Sequence, residues 1–311
     1  LYRYANLLDL MGSDPKRILD FVTADVFTTR RFGGNPLAVF PRAPASLNDA
    51  DMQAIAREMN LSETVFVFPA KSGDARARRV RIFTPAAELP FAGHPTVGAA
   101  AMLVALGEIA ADSDGRAELV LEEGVGPVPV AVEHRSDRLW ARLTCPKPPA
   151  ELGVAVPPRG VVAAFLGLDE ADLDDGAAIE AWSSGPAFTM VPLASPAAVA
   201  RALLDRALWK RAQGGNLYLF AETAHDRLHA RMFAPVLGID EDPATGSAAV
   251  ALAGLLAKRL TDGPHRIDIA QGVEMGRPSH MELEFEVRGA TAISVSLGGA
   301  VVPVSEGRLT L

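Results

Sequence analysis

Runs with β-like alternation or compact apolar character recur along the first half of the chain, at residues 19–27, 37–40, 64–68, 80–83, 118–121, 128–132 and 139–143. Few helical periods interrupt them. Residues 47–59 are amphipathic, with Ser46 or Asn48 placed as N-cap. Residues 95–106 are apolar on every face, the pattern of a helix buried on all sides. Pro95 suits the first turn, where its missing N–H would have had no partner. The Pro-rich stretch 145–158 reads as a linker, and a second series follows it. This series has short helices near 161–166 and 196–209, strands at 188–192, 217–221, 230–233, 266–269, 281–287, 293–297 and 301–304, and a second all-apolar helix at 243–256. Strands that feed a central helix without regular β-α-β alternation predict an α+β fold in two halves, each a strongly twisted sheet around one buried helix.

The two halves also repeat each other in detail. Arg81-Ile82-Phe83-Thr84-Pro85 is answered by Arg231-Met232-Phe233-Ala234-Pro235, and each precedes a turn that opens an apolar, Ala-rich run. The first turn reads Gly93-His94-Pro95-Thr96-Val97-Gly98, the second Asp242-Pro243-Ala244-Thr245-Gly246-Ser247. A helix start presents unpaired N–H groups and the positive end of the dipole, so two such starts converging from matched halves would hold a carboxylate or a developing enolate. Gly93 and Gly246 permit close backbone approach there; taken singly, such glycines also serve tight helix–sheet packing.

Composition narrows the class. The 311 residues suffice for two domains of ordinary size. A net charge of −8 lacks the basic footprint of a nucleic-acid binder. One cysteine, Cys145, excludes a disulfide framework and a Cys-rich zinc site, and fits a reducing cytoplasm. No apolar run reaches the roughly 18 to 20 residues of a membrane span, and the first residues lack the order of a signal peptide. Residues 1–10 precede Met11 and the first strand-like pattern, and read as a mis-called start or added residues. His225 and His229 have zinc-like i, i+4 spacing, but they fall between two strand patterns, which favours a hairpin loop over a metal site.

A family resemblance rests on six ordered segments. They are Asp25-Val26-Phe27 with Phe32-Gly33-Gly34-Asn35-Pro36; Asn60-Leu61-Ser62-Glu63-Thr64-Val65-Phe66; Phe83-Thr84-Pro85 through Gly93-His94-Pro95-Thr96; Arg231 to Gly238; Glu241-Asp242-Pro243-Ala244-Thr245-Gly246-Ser247-Ala248; and Gln271-Gly272 with Met275-Gly276-Arg277-Pro278-Ser279. Together they closely resemble the phenazine biosynthesis PhzF-like family. The resemblance implies a diaminopimelate-epimerase-like fold: two pseudo-symmetric domains, each a half-open β-barrel around a central apolar helix, with the site in the cleft between them. The halves would be 18–147 and 148–299, with the last strand, about 300–311, returning to the first. It also implies a homodimer that needs no metal or organic cofactor and moves protons on a small carboxylate-bearing substrate.

Carried over position by position, the resemblance makes Glu63 the general acid/base and brings His94, Asp242 and Ser247 into the site, with Asn35 as a substrate contact. Gly93 and Gly246 would bind substrate through their backbone. Without the motif, Glu63 is equally a strand-end carboxylate facing water, His94 a helix-start histidine with a structural bond, and Asp242 a helix cap. Related racemases use a cysteine from each half; neither turn here has one, so a two-thiol mechanism is excluded. The reading is a cofactor-independent isomerase that uses Glu63 on one face of its substrate. The alternatives are a two-base epimerase using Glu63 and Asp242, or a non-catalytic small-molecule-binding protein.

Overall fold

The computed structural model describes residues 18–136 and 138–311, so the expectation about residues 1–10 lies outside it. The first half runs β1 (Ile18–Val26), β2 (Asn35–Phe40), α1 (Asp49–Met59), β3 (Glu63–Pro69), β4 (Ala77–Phe83), β5 (Glu88–Leu89), α2 (Gly93–Ala105), β6 (Ala117–Glu123), β7 (Gly126–Arg135) and β8 (Arg138–Thr144). The second runs β9 (Ala150–Glu151), α3 (Arg159–Phe165), β10 (Glu180–Ser183), β11 (Ala187–Pro192), α4 (Pro196–Arg201), α5 (Arg206–Arg211), β12 (Asn216–Ala224), β13 (Arg227–Ala234), β14 (Ile239–Asp242), α6 (Gly246–Ala257), β15 (Gly263–Gln271), β16 (Ser279–Arg288) and β17 (Thr291–Thr310). The molecule is a mixed α+β protein with one large, continuous strand network and few helices.

The pairing pattern repeats. In the first half β2 and β3 are parallel, β3–β4 and β4–β5 antiparallel, β4 and β6 parallel, then β6–β7 and β7–β8 antiparallel. In the second, β11 and β12 are parallel, β12–β13 and β13–β14 antiparallel, β13 and β15 parallel, then β15–β16 and β16–β17 antiparallel. Each half interposes its apolar helix between the short fourth strand of the motif, β5 or β14, and the parallel return. The duplication legible in the sequence is therefore a duplication of topology.

Burial explains the two all-apolar helices. Every residue of α2 from Gly93 to Val104 is buried, as are nearly all of α6. α2 packs against β1, β2, β3, β6, β7, β8 and β17, and α6 against β9, β10, β11, β16 and β17. Their side chains, including Leu103 and Leu252, share one continuous core. The outer faces are covered separately. α1 lies over the ring stack of Phe40 and Phe66, whose centroids are 4.9 Å apart, and α3 with α4 covers Val191, Leu217 and Leu219.

Several boundaries differ from those the pattern predicts. α2 begins at Gly93 and not Pro95, so His94 lies in its first turn. α6 begins at Gly246 and not Pro243, because 239–242 form β14 against β13. The helical period at 196–209 is two helices, the second capped by Asp205, whose carboxylate accepts from the N–H groups of Ala207 and Leu208. The runs at 293–297 and 301–304 are one strand, β17, which pairs in succession with β16, β8 and β1 and so joins the two halves. Strands β5, β9, β10 and β14 have two to four residues, too few to show a period, and were not legible. β9 falls inside the Pro-rich stretch and pairs with β10.

Candidate active site

The two helix starts meet. A Cβ added to Gly93 would lie 3.0 Å from Gly246 Cα, and one added to Gly246 would lie 3.1 Å from Gly93 Cα and 2.8 Å from Leu297 Cδ2. Only glycine lets the N-termini of α2 and α6 approach so closely. Beside this junction opens a cavity of about 190 Å³, lined by Glu63, His94, Asp242 and Ser247 with both glycines. Its size falls below the roughly 300–1,000 Å³ typical of drug-sized ligand pockets.

Glu63 is the first residue of β3 and is drawn under cover by the parallel pairing with Leu37 of β2. Its Oε2 lies 3.0 Å from Nε2 of His94, and both side chains are nearly buried. The two atoms are close, yet neither has a properly directed hydrogen-bond partner. Buried polar atoms are almost always paired, and these two face each other at the cavity wall.

Asp242 approaches from the other half, at the end of β14. It does not cap α6: that position belongs to Thr245. Its Oδ1 accepts from Asn35 Nδ2 at 2.9 Å, and its Oδ2 accepts from Thr245 Oγ1. Gln271, fully buried, donates to Thr245 Oγ1 at 3.1 Å and to the Asp242 carbonyl at 2.7 Å. Because Thr245 Oγ1 accepts from Gln271, its own hydrogen is directed at Asp242. Burial, reinforced by the charge of Glu63, pushes the Asp242 carboxyl above its usual range, against the pull of His94 and the Thr245 and Asn35 hydrogen bonds.

The sequence-derived set thus divides. Glu63, His94, Asp242, Gly93, Gly246 and Ser247 come together on the cavity wall. Asn35 is not on the cavity lining: fully buried, it stands behind Asp242 and also donates to the Ala244 carbonyl at 3.0 Å, while its Oδ1 has no partner. Thr245 and Gln271 sit in motifs visible in the sequence, but nothing in their spacing shows that they meet. Leu89, Phe91 and Met232 of the apolar wall also lie in those motifs, whereas Phe188 and Ile239 lie outside them, and no spacing shows that the five meet; the first two come from one half, the others from the second.

The remaining motifs build the frame. Arg277 donates to the carbonyls of Gly33 and Gly34 at 2.9 and 2.8 Å and pairs with Asp25 Oδ1 at 2.5 Å, tying the Met-Gly-Arg-Pro-Ser segment to the loop that presents Asn35. Gly34 has φ of 61°, and a Cβ there would collide with the Val26 carbonyl oxygen. His225 and His229 lie on the β12–β13 hairpin; His229 pairs with Glu274 at 2.8 Å, and His225 is exposed beside Asp226. Among the described residues no group of three or more His, Cys, Asp or Glu gathers as a metal site. None of the described helices is long and apolar enough to cross a membrane.

The sequence model of the phenazine biosynthesis-like protein family matches residues 24–307. The chain belongs to this family. An uncharacterized isomerase of Mesorhizobium japonicum is 41% identical, the alignment covering 93% of this chain and 98% of that protein. The trans-2,3-dihydro-3-hydroxyanthranilate isomerase of Pseudomonas aeruginosa is 38% identical, over 94% and 99% of the two chains. Among solved structures, the PhzF-family phenazine biosynthesis protein of Bacillus anthracis superposes with a TM-score of 0.82 over 94% of this chain and 99% of that one; at 22% identity it speaks for the fold alone. This member of the phenazine biosynthesis-like family is an isomerase, as relatives at 36–41% identity over most of the chain are named.

Proposed function

We propose that the protein isomerises a small carboxylate by moving one proton between two of its carbons, without an organic cofactor, with Glu63 as the base and then the acid. The observation that carries this reading is the buried Glu63–His94 pair at 3.0 Å, with no directed partner for either atom, at a cavity where two helix starts converge. The Glu63 carboxylate takes the proton from an activated carbon. The electron pair left behind passes into the substrate's carboxylate, and the positive helix ends and their free N–H groups favour the resulting charge. Glu63 then returns the proton to the distal carbon of the rearranged system, with His94 holding the carboxyl in register.

Asp242 differs from Glu63. Both of its oxygens are held by donors whose own hydrogen bonds fix them, so it acts as a positioned partner to the substrate and to His94. That rigidity favours one base over the two-base epimerase. A pure binding protein would leave the unpartnered acid–base pair without a purpose. The reading includes the two-domain architecture, 18–147 and 148–299, with each apolar helix inside a half-open barrel; the strands surrounding α2 and α6 support it. It also includes a homodimer in a reducing cytoplasm, as the family resemblance and the single, free Cys145 suggest.

The test is proton exchange from D2O into a panel of small carboxylates, dihydro-hydroxyanthranilate among them, followed by NMR. Wild type exchanges or isomerises at least one compound, and Glu63→Gln lowers the rate by 10²-fold or more, in the range of general acid–base catalysis (about 10²–10⁴). Ligand-induced thermal stabilisation with no exchange, unchanged in Glu63→Gln, would instead establish a binding protein.

A further inference from the structure

The duplicated topology supplies an internal control for the network around Asp242. β6 and β15 are the parallel returns of the two halves, and each ends in a polar residue followed by glycine, Glu123-Gly124 and Gln271-Gly272. Each glycine lies flush against the proline of its own helix-start turn. A Cβ on Gly124 would stand 2.8 Å from Pro90 Cα, and one on Gly272 would stand 2.6 Å from the Pro243 carbonyl oxygen. Aligned on those prolines, Leu89 corresponds to Asp242 and Ala92 to Thr245. The half without the aspartate thus also lacks the threonine and the amide, and closes the same turn with Glu123 directed at Thr96 of α2. Closing the turn does not require a glutamine.

Gln271 is fully buried and lies outside the cavity lining, and the backbone fixes which way its amide faces. Its Oε1 accepts from the Thr245 N–H at 3.3 Å and its Nε2 donates to the Asp242 carbonyl at 2.7 Å, two contacts that only one orientation allows. The second Nε2 hydrogen goes to Thr245 Oγ1 at 3.1 Å, so the threonine hydrogen is left for Asp242 Oδ2. We propose that Gln271 is a positioning residue for the isomerisation: by locking Thr245 as a donor, it holds Asp242 as a carboxylate that faces the cavity as an acceptor. What Asp242 serves rests on the isomerase reading; the control of its proton by a residue outside the wall goes beyond it. The titratable groups facing Asp242 are Glu63 of β3, His94 of α2 and Tyr218 of β12. Burial and the charge of Glu63 oppose its ionisation, whereas His94 and the Thr245 and Asn35 hydrogen bonds favour it. Tyr218, fully buried, keeps its proton. Loss of the Thr245 bond leaves burial less opposed, so Asp242 ionises at higher pH.

The experiment titrates the Asp242 carboxyl by NMR in the intact chain labelled with carboxyl-13C aspartate, the signal being assigned by its absence in Asp242→Asn. Proton exchange into the acid panel in D2O is followed over the same pH range. Gln271→Met and Thr245→Val each raise the Asp242 midpoint by about one pH unit or more, the worth of one hydrogen bond to a charged group. Thr245→Ser, which keeps the hydroxyl, titrates as wild type. In the Thr245→Val background Gln271→Met adds no further rise, because it acts through that hydroxyl. The acid limb of the exchange profile moves up with the midpoint. An Asp242 midpoint unchanged in Gln271→Met, with the loss confined to thermal stability, overturns the proposal, as does a further rise in the double variant. If Gln271→Met fails to fold, Thr245→Val decides, since Gln271 there keeps both backbone bonds: a rise reversed in Thr245→Ser supports the relay, and an unmoved midpoint sinks it. The two readings fail separately. Exchange on no acid with a raised midpoint removes the isomerase and leaves the hold of Gln271 on Asp242; exchange with an unmoved midpoint does the reverse.

Discussion

Glu123 ends β6 beneath the first turn of α2, where folding strips its carboxyl of water. Thr96 Oγ1 lies 2.7 Å both from Glu123 Oε1 and from the Ala92 carbonyl. One hydroxyl hydrogen cannot serve both. A protonated Glu123 removes the conflict, since it can donate to Thr96 while Thr96 donates to Ala92. Burial pushes this carboxyl up to about 8, against the pull of the Thr96 hydrogen bond. In the unfolded chain it titrates near the ordinary 4.5. Below both values the two states carry the same proton and nothing is lost. As pH rises from 4.5 to about 8 the unfolded chain ionises first, so stability falls with pH, at about 1.4 kcal/mol per unit of separation. Glu123→Gln removes the titration. The variant should match wild type at pH 4 and exceed it by a few kcal/mol at pH 8 in urea unfolding; an equal advantage at both pH values would show that Glu123 does not carry the shifted proton. None of this was readable from the sequence, where Glu123 is one acid among several on an alternating strand. Asp242 was readable as a site residue because its motif names it, but its cage was not.

At the scale of the element, the repeated Arg-x-Phe-x-Pro segments have one physical meaning. Arg81 pairs with Glu88 of β5 through Nε and Nη2, at 2.7 and 2.5 Å. Arg231 pairs in the same way with Glu241 of β14, at 2.8 and 2.9 Å. Each guanidinium also lies over the Phe two residues on, 5.1 Å from Phe83 and 4.9 Å from Phe233. The fork holds the short strand that delivers the chain to the helix start, so the repeat in sequence encodes the approach to the site. The two copies differ in burial. Arg231 is nearly buried and also donates to the carbonyls of Val199, Ala200 and Ala202, whereas Arg81 serves exposed carboxylates. Arg231→Met should therefore cost about 3–5 kcal/mol, as expected when a buried pair loses one member, and Arg81→Met about 0–1 kcal/mol. Denaturant midpoints of the two variants check this, and equal losses would contradict it. The all-apolar helices were legible for a related reason: a helix enclosed by strands can have no polar face. Their first residues were not, because the turn ahead of α6 continues as a strand that only pairing with β13 defines.

On the scale of the whole molecule, one carboxylate joins the two halves. Glu282 of β16 is nearly buried and pairs with Arg135 and Arg142 from β7 and β8 and with Arg266 from β15. Arg142, Gly298 and Glu282 stand in one row across three strands. A Cβ on Gly298 would lie 3.2 Å from Arg142 Nε, so the missing side chain leaves Arg142 its path over β17. Glu282→Gln should cost about 3–5 kcal/mol, because it leaves three guanidinium groups around a neutral amide. Arg266→Gln, at a half-exposed position, should cost less than about 1 kcal/mol. Equilibrium unfolding of both variants is the check, and near-equal small losses would show that the cluster does not hold the halves together.

What could be read from the chain alone is the local and the repeated. Alternation laid down most of the strands, enclosure by strands wrote two helices as unbroken apolar runs, and ordered motifs marked Glu63, His94, Asp242 and Ser247. Each of these signals lies within a dozen neighbouring residues, where period and turn chemistry act. Whatever depends on groups far apart in sequence was left to the folded molecule. Folding set the close approach of the Gly93 and Gly246 backbones, the retreat of Asn35 behind Asp242, the link from Gln271 through Thr245, and the apolar wall drawn from both halves. Packing brings these groups together from 26 residues apart, for Gln271 and Thr245, to 207, for Asn35 and Asp242, and no local pattern records which buried side chain will face which.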